Sequence, residues 1–154
     1  MTEEGVMIDI ARPGDLEDIL TLAREFYAHF GLAWIEDAKA AVILEVLGHP
    51  ECGRIWLARD RDDQPVGYAL VVTYLSLELG GRTAILDEFH VTATQRGRGI
   101  GRALLETLSQ ALAREGVGHL RLELDEHHPE AATLYQRQGF LRDGRELWTR
   151  RLRD

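Results

Sequence analysis

A glycine-rich segment, Gln95-Arg96-Gly97-Arg98-Gly99-Ile100-Gly101, has the composition of an anion-binding loop. It follows an apolar run that ends at Val91 and leads directly into an amphipathic stretch. Glycines at alternate positions let several backbone N–H groups point inward, and a helix that starts at once adds unpaired N–H groups and a positive dipole end. The segment therefore predicts a cradle for an anion, with phosphate as the expected group.

The spacing of these glycines excludes two common phosphate-binding loops. A dinucleotide-binding loop would need a glycine at position 102, where the chain has Arg102. A nucleoside triphosphate loop would end in Gly-Lys-Ser or Gly-Lys-Thr, which is absent here. A tight turn from a strand into a helix also favours glycine, so the loop by itself leaves a purely structural role open.

Two adjacent acids, Asp87 and Glu88, precede the loop on a predicted strand. Successive side chains of a strand point to opposite faces, so at most one of the two carboxylates can face a substrate unless the strand contains a bulge. Asp87 would share an apolar face with Phe89, where burial would raise its pKa toward that of a useful base. Glu88 would share the other face with Leu86 and His90.

The connection between the first two predicted helices, residues 31–37, carries an aromatic residue and two acids. Trp34, Glu36 and Asp37, with Tyr27 near the end of the preceding helix, could line the mouth of a substrate site. Acids in the first turn also stabilise a helix through its dipole, so Glu36 and Asp37 are equally consistent with a structural role.

Length and composition limit the class of protein. A chain of 154 residues with 45% hydrophobic residues predicts one domain over residues 1–154. The formal net charge of −8 argues against nucleic acid and weakly favours cationic small molecules. Cys52 has no intrachain partner, no apolar run approaches the length of a membrane span, and the amino-terminal residues are acidic. We therefore expect a cytoplasmic protein without a membrane partner.

Hydrophobic periodicity and turn residues predict the order β-α-α-β-β-β-α-β-α-β-β. The predicted elements are a strand at 6–11, helices at 15–31 and 38–48, strands at 54–59, 66–75 and 83–91, a helix at 100–115, a strand at 119–124, a helix at 129–139, and a final hairpin of 140–141 with 147–149.

Two segments of this pattern resemble the motifs of the GNAT superfamily of acyl-CoA-dependent N-acyltransferases. Arg96, Gly99 and Gly101 match its pyrophosphate loop, Arg/Gln-x-x-Gly-x-Gly/Ala, between a strand and a helix. Residues 128–140 are similar to its second motif, Asn-x-x-Ala-x-x-Leu/Phe-Tyr-x-x-x-Gly-Phe, with His128 where the family usually has Asn. The resemblance covers about residues 8–152 and implies an α/β (α+β) fold with a mixed, mostly antiparallel sheet and helices on both faces.

The resemblance also implies a reaction and the residues that perform it. Acetyl-CoA would be the co-substrate, with direct acetyl transfer to an amine and no metal ion. Tyr135 would protonate the departing thiolate, while Asp87 or Glu88 would be the base, with His90, His127 and His128 as alternative proton carriers. The residues expected to bind the cofactor are Val91, Thr92, Arg96, Gly97, Arg98, Gly99, Ile100, Gly101, Arg102, His128 and Tyr135.

The acceptor is less defined by the resemblance. Acids at positions 87 and 88 resemble the diamine-acetylating branch of the family, which favours a small cationic amine. An aminoglycoside-like cation, an amino acid, a protein amino terminus and a protein lysine remain open, as does homodimer formation. A second class, a non-catalytic acyl-CoA-binding sensor, would keep the loop and dispense with the acid and base.

Overall fold

The chain forms the predicted elements in the predicted order up to its last helix. The computed structural model describes residues 1–154. Its strands and α-helices are β1 Met7–Ile10, α1 Leu16–Phe30, α2 Glu36–Gly48, β2 Gly53–Arg59, β3 Pro65–Ser76, β4 Gly81–Val91, α3 Ile100–Arg114, β5 His119–Leu122 and α4 Ala132–Arg137. None of the helices is long and apolar enough to cross a bilayer.

Residues 1–122 form one compact unit and residues 123–154 a second. The first unit contains a single five-stranded sheet in the order β1-β2-β3-β4-β5. The first three pairs of neighbouring strands are antiparallel, and β4 and β5 are parallel. Helix α3 makes the crossover between the two parallel strands, as such a connection requires. The predicted mixed, mostly antiparallel sheet is therefore confirmed.

Helices cover both faces of the sheet. On one face, α1 and α2 bury Leu20 and Ile43 against Tyr68 and Leu70 of β3. On the other face, the side chain of Ile100 at the start of α3 packs into a cluster of buried apolar residues, Val6, Ala58 and Val66. The strands can serve two helical layers because their buried residues alternate between the two faces.

Strand β4 contains a β-bulge at Asp87. Leu70 of β3 pairs with Glu88, and the next residue of β3, Val71, pairs with Leu86. The extra residue therefore interrupts the alternation of side chains, and Glu88 lies on the face of α1 together with Leu70. The prediction that Glu88 shares a face with Leu86 is wrong for this reason. Asp87 is the bulge residue itself, and its side chain is exposed.

The second unit contains α4, preceded by one turn of 3₁₀ helix at Pro129–Ala131. The predicted hairpin after Gly139 is wrong, because no residue after α4 forms a strand. A turn does form there: Gly144 has a φ of +74°, and the Asp143 carboxylate accepts a hydrogen bond of 3.0 Å from the N–H of Arg145. This local bond competes with strand pairing, and Trp148 of the expected strand is 87% exposed. Strand β5 likewise ends at Leu122, two residues before the predicted end.

Candidate active site

The Glu88 carboxylate is held between two tyrosines. Tyr27 of α1 donates a hydrogen bond of 2.7 Å to its Oε2 atom, and Tyr68 of β3 donates one of 2.8 Å to its Oε1 atom. Tyr68 is buried, and Glu88 is half-buried. Both oxygens of the acid are therefore fixed by phenols that belong to different elements, and the β-bulge is what turns the acid toward them.

Burial raises the pKa of the Glu88 carboxyl, and the charge of Asp87 acts in the same direction. The two phenol hydrogen bonds and the positive charge of Lys39 act in the opposite direction. Burial and the adjacent carboxylate raise the pKa of Tyr27 and of Tyr68 above the ordinary value, so both phenols remain hydrogen-bond donors at neutral pH. Glu88 therefore has the environment of a general base.

Asp87 differs from Glu88 because partial desolvation is the only effect that shifts the pKa of its carboxyl. Its exposed side chain still reaches solvent, and the partial loss of water at the bulge raises the pKa of its carboxyl. The structure gives it no hydrogen bond comparable to those of Glu88. Of the two predicted bases, Glu88 is the one whose orientation is fixed.

Aromatic rings and two cations lie beside Tyr27. The rings of Tyr27 and Trp34 meet edge to face at 5.4 Å. Lys39 Nζ lies 4.4 Å from the centroid of the Tyr27 ring, and the Arg24 guanidinium lies 5.8 Å from that of Trp34. Arg24 also forms an ion pair with Glu36, which lowers the pKa of that carboxyl. Glu36, predicted at the mouth of the site, is thus engaged by a cation of the chain itself.

Asp37 also lies in the first turn of α2. It is exposed and next to Glu36 in the chain, which agrees with the structural reading in which both acids interact with the helix dipole. The predicted substrate residues are therefore divided: the structure brings Tyr27 and Trp34 together, and it leaves Asp37 on the surface.

His90 belongs to a separate hydrogen-bonded group. Its Nε2 atom lies 2.9 Å from Oε2 of Glu25 on α1, and the Thr92 hydroxyl donates to the same oxygen. His90 is buried, which lowers its pKa, while the Glu25 carboxylate partly offsets that effect. Burial therefore favours the neutral imidazole, and its Nε2 atom is engaged by Glu25.

The glycine loop leaves its backbone donors unused. None of the N–H groups from Gly97 to Arg102 donates a hydrogen bond within the protein, and no side chain caps the start of α3. Gly97 and Gly99 have φ values of +76° and +82°, which only glycine adopts without strain. The buried Ile100 side chain anchors the helix in the core, so its contribution to an anion site is its backbone. This geometry fits a pyrophosphate group.

The charged residues of the loop have different surroundings. Arg98 is exposed, and Arg96 donates a hydrogen bond of 2.9 Å from Nε to the Val91 carbonyl. Arg102 forms an ion pair of 2.7 Å with Glu4, whose carboxylate lies against the loop. A Cβ atom at Gly99 would come within 3.0 Å of the Glu4 side chain. Glu4 therefore places a negative charge beside the predicted cofactor site and engages Arg102.

The edge of β4 opens at the bulge. Pairing with β5 covers only Thr83 to Leu86, and it ends where Asp87 interrupts the ladder with β3. The N–H of Thr92 points to β3, where it donates to the Val66 carbonyl. Because N–H directions alternate along a strand, the N–H of Val91 points away from β3, toward the open edge. Val91, one of the residues expected to bind the cofactor, therefore presents its N–H to this edge.

In the second unit, Tyr135 is half-buried on α4, and its ring meets that of Phe140 edge to face at 5.7 Å. Burial raises the pKa of Tyr135 to about 12, so the phenol carries a proton at neutral pH. His128 lies just before the 3₁₀ turn, with its Nδ1 atom 3.3 Å from Glu130. His127 is largely exposed. The protonation state of Tyr135 is the one required of an acid.

Sequence reasoning missed Tyr68, Glu25, Glu4 and Lys39. Tyr68 had a usable signal, because a tyrosine on the inward face of an apolar strand needs a partner for its hydroxyl. The other three had none, since each gains its role from contacts between segments that are distant in the chain.

The sequence from residue 16 to residue 140 matches the acetyltransferase (GNAT) family, to which the chain therefore belongs. It is 28% identical over 134 residues to an IAA acetyltransferase of Azospirillum brasilense, with 86% of this chain and 84% of that protein covered. It is 29% identical over 93 residues to a streptothricin acetyltransferase of Streptomyces lavendulae, with 60% and 47% covered.

A similar solved structure is that of an integron cassette protein from the mobile metagenome of Cole Harbour Salt Marsh. It is 33% identical and superposes with a TM-score of 0.86, over 96% of this chain and 91% of that one. The chain of 154 residues is therefore an acetyltransferase with the fold of the GNAT family.

Proposed function

We propose that the protein transfers the acetyl group of acetyl-CoA directly to a primary amine, with Glu88 as the general base. The observation that carries this proposal is the half-buried Glu88 carboxylate, held by Tyr27 and Tyr68 at the bulge of β4. Bound acetyl-CoA would supply the activated acyl group as a thioester. The unused N–H groups from Gly97 to Arg102 would hold its pyrophosphate.

Each chemical need of acyl transfer has a candidate in the chain. Glu88 would take a proton from the acceptor ammonium, directly or through a water molecule, and so produce the neutral nucleophile. The Val91 N–H would donate to the developing oxyanion. The Tyr135 phenol would return a proton to the sulfur leaving group. The predicted roles of Thr92, Arg96, Arg98 and His128 in cofactor binding remain proposals.

We infer that the acceptor is a small cationic amine. A carboxylate at the base position favours an ammonium, and the faces of Tyr27 and Trp34 already hold the cationic groups of Lys39 and Arg24. Because Arg24 already neutralises Glu36, the acids proposed to interact with the acceptor amine are Glu88 and Asp87. A related protein that is named for the acetylation of streptothricin is consistent with a small-molecule acceptor.

The test is thiol release from acetyl-CoA with a panel of amines: spermidine, an aminoglycoside, a neutral amino acid and a short peptide. We expect the cationic amines to be the best acceptors. Glu88→Gln should reduce kcat/KM about a hundredfold, which is the lower end of a general-base contribution. Asp87→Asn is the matched control, because it changes an adjacent acid without removing a fixed carboxylate, and it should cost only a few-fold.

Two results would contradict the proposal. Thiol release at background level with every amine would leave the acyl-CoA sensor as the better reading. Equal losses in Glu88→Gln and Asp87→Asn would mean that the fixed orientation of Glu88 has no catalytic significance.

A further inference from the structure

Lys39 is the only lysine among the 18 Lys and Arg residues of the chain. All the others are arginines, whose guanidinium groups stay protonated and are not acyl acceptors under these conditions. Apart from an amino terminus, Lys39 therefore provides the only primary amine that the protein itself could present to an acyl donor.

This single amine lies at the candidate active site. Lys39 is half-buried in the first turn of α2, and its Nζ atom is 4.4 Å from the centroid of the Tyr27 ring. Its ammonium is held by this ring contact rather than by an ion pair with a carboxylate. Exposed lysines usually extend into water, so a lysine folded onto an active-site ring is in a defined position.

The same ring connects Lys39 to the proposed base. The Tyr27 hydroxyl donates its 2.7 Å hydrogen bond to Glu88, and the positive charge of Lys39 acts to lower the pKa of the Glu88 carboxyl. The Lys39 amine and the Glu88 carboxylate therefore both contact Tyr27. An external cationic acceptor would need the same placement beside the base. Glu36, in the same first turn of α2 as Lys39, is paired with Arg24.

We propose that Lys39 Nζ is an internal acetyl acceptor, modified by acetyl-CoA within the protein's own active site. This inference rests on the proposed function. It identifies a modification site, and it implies that the unmodified Lys39 ammonium occupies the Tyr27 face that an external amine would use.

The reaction balances without any further reactant. The Lys39 ammonium gives one proton to Glu88, and the neutral nitrogen then forms a bond to the acetyl carbonyl carbon as the carbon–sulfur bond of the thioester breaks. The second proton lost from the nitrogen ends on the thiolate. The products are Nε-acetyl-lysine and free coenzyme A, and the proton on Glu88 returns to solvent.

The position of the amine can be tested without acetyl-CoA. Reductive ¹³C-methylation of a chain with one lysine gives one dimethyl-lysine NMR signal besides that of the amino terminus. Tyr27→Leu should move the Lys39 signal downfield, because the shielding of the Tyr27 ring current is lost. Tyr74→Leu, a change at the far end of β3, should leave it in place. An unchanged signal in Tyr27→Leu would overturn the geometry on which the inference depends.

The modification itself is tested by mass spectrometry of protein incubated with acetyl-CoA and no external amine. We expect one acetyl group on the peptide that contains residue 39, with a rate per molecule that is independent of protein concentration. Glu88→Gln should slow this acetylation about a hundredfold. Lys39→Arg, which keeps the positive charge and lacks a nucleophilic amine, should show no acetyl group on this peptide.

Three outcomes would overturn the inference: no acetyl group on Lys39, equal rates in wild type and Glu88→Gln, or a rate that rises with protein concentration. The second would indicate uncatalysed solution chemistry, and the third would indicate transfer between molecules. Thiol release with external amines but no acetyl group on Lys39 would refute this inference alone. Acetylation of Lys39 without turnover of any external amine would support it and refute the small-amine assignment.

Discussion

Removal of one phenol from Glu88 should shift the pH dependence of acetyl transfer. Tyr68→Phe removes the hydroxyl that donates a hydrogen bond of 2.8 Å to Oε1 of Glu88, and it keeps the aromatic ring that fills the core. A hydrogen bond to a charged group contributes about 1.5–3 kcal/mol, and one pKa unit corresponds to about 1.4 kcal/mol. Glu88 keeps its bond from Tyr27 and is only half-buried, so water can replace part of the loss. We expect its pKa to rise by about one unit.

The sign of the effect follows from the role of the acid. As the proposed base, Glu88 would act as the carboxylate, so activity should rise with pH through its pKa, and a higher pKa should move this rising limb to higher pH. The limb should move up by about one unit in Tyr68→Phe, and by the same or less in Tyr27→Phe because Tyr27 is more exposed. The measurement is kcat/KM for one amine against pH by thiol release, with acetyl-CoA saturating.

The acceptor's own ionisation contributes equally to every variant, so the difference between profiles isolates Glu88. Tyr74→Phe is the matched control, because this tyrosine also lies on β3 but its hydroxyl accepts a hydrogen bond from Arg121. If both Tyr27→Phe and Tyr68→Phe keep the wild-type limb, the phenols do not act on the base and the reasoning fails. A shift of equal size in Tyr74→Phe would show that the effect is not local.

The remaining predictions concern the acid and the cofactor loop. Tyr135→Phe should lower kcat about a hundredfold with little change in acetyl-CoA affinity, and unchanged turnover would assign Tyr135 to packing. Gly101→Glu should abolish acetyl-CoA binding, measured by calorimetry, because it places a negative charge beside the pyrophosphate, and it should leave the circular-dichroism spectrum unchanged. Wild-type affinity in this variant would mean that the pyrophosphate binds elsewhere. Glu4→Gln should tighten acetyl-CoA binding about two- to fivefold, because it removes a negative charge near a helix N-terminus and releases Arg102. Glu3→Gln is its control, and equal effects of the two changes would contradict this explanation.

The parts of the fold that depend on local pattern were predictable from the sequence. The apolar stripe of α1, the turn residues between β2 and β3, and the glycine loop before α3 are local signals, and the structure has those elements within a few residues of the predicted bounds. The prediction of the final hairpin was correct for the turn at Gly144 and wrong for the two strands. Strands need a pairing partner, which no local sequence pattern supplies.

The candidate site was predictable only as residue types. Glu88, Tyr27 and the glycine loop were identified, but their arrangement was not. Uninterrupted alternation placed Glu88 on the same face as Leu86, because no sequence signal marked Asp87 as a bulge. The bond between Tyr27 and Glu88 joins residues 61 positions apart, and the contact of Lys39 with Tyr27 joins two helices. Such contacts are set by packing of whole elements, which a single sequence does not reveal.

The bulge also constrains how β4 can change length in evolution. With respect to its pairing partner, Asp87 is a supernumerary residue, so the two halves of β4 already run one position out of phase. Deletion at this position would join the halves in a regular ladder and leave Leu86 and Glu88 on their present faces. Insertion or deletion of one residue elsewhere in β4 would invert every side chain on one side of the change. Homologous sequences that differ in length by one residue within this strand should therefore carry the gap at position 87.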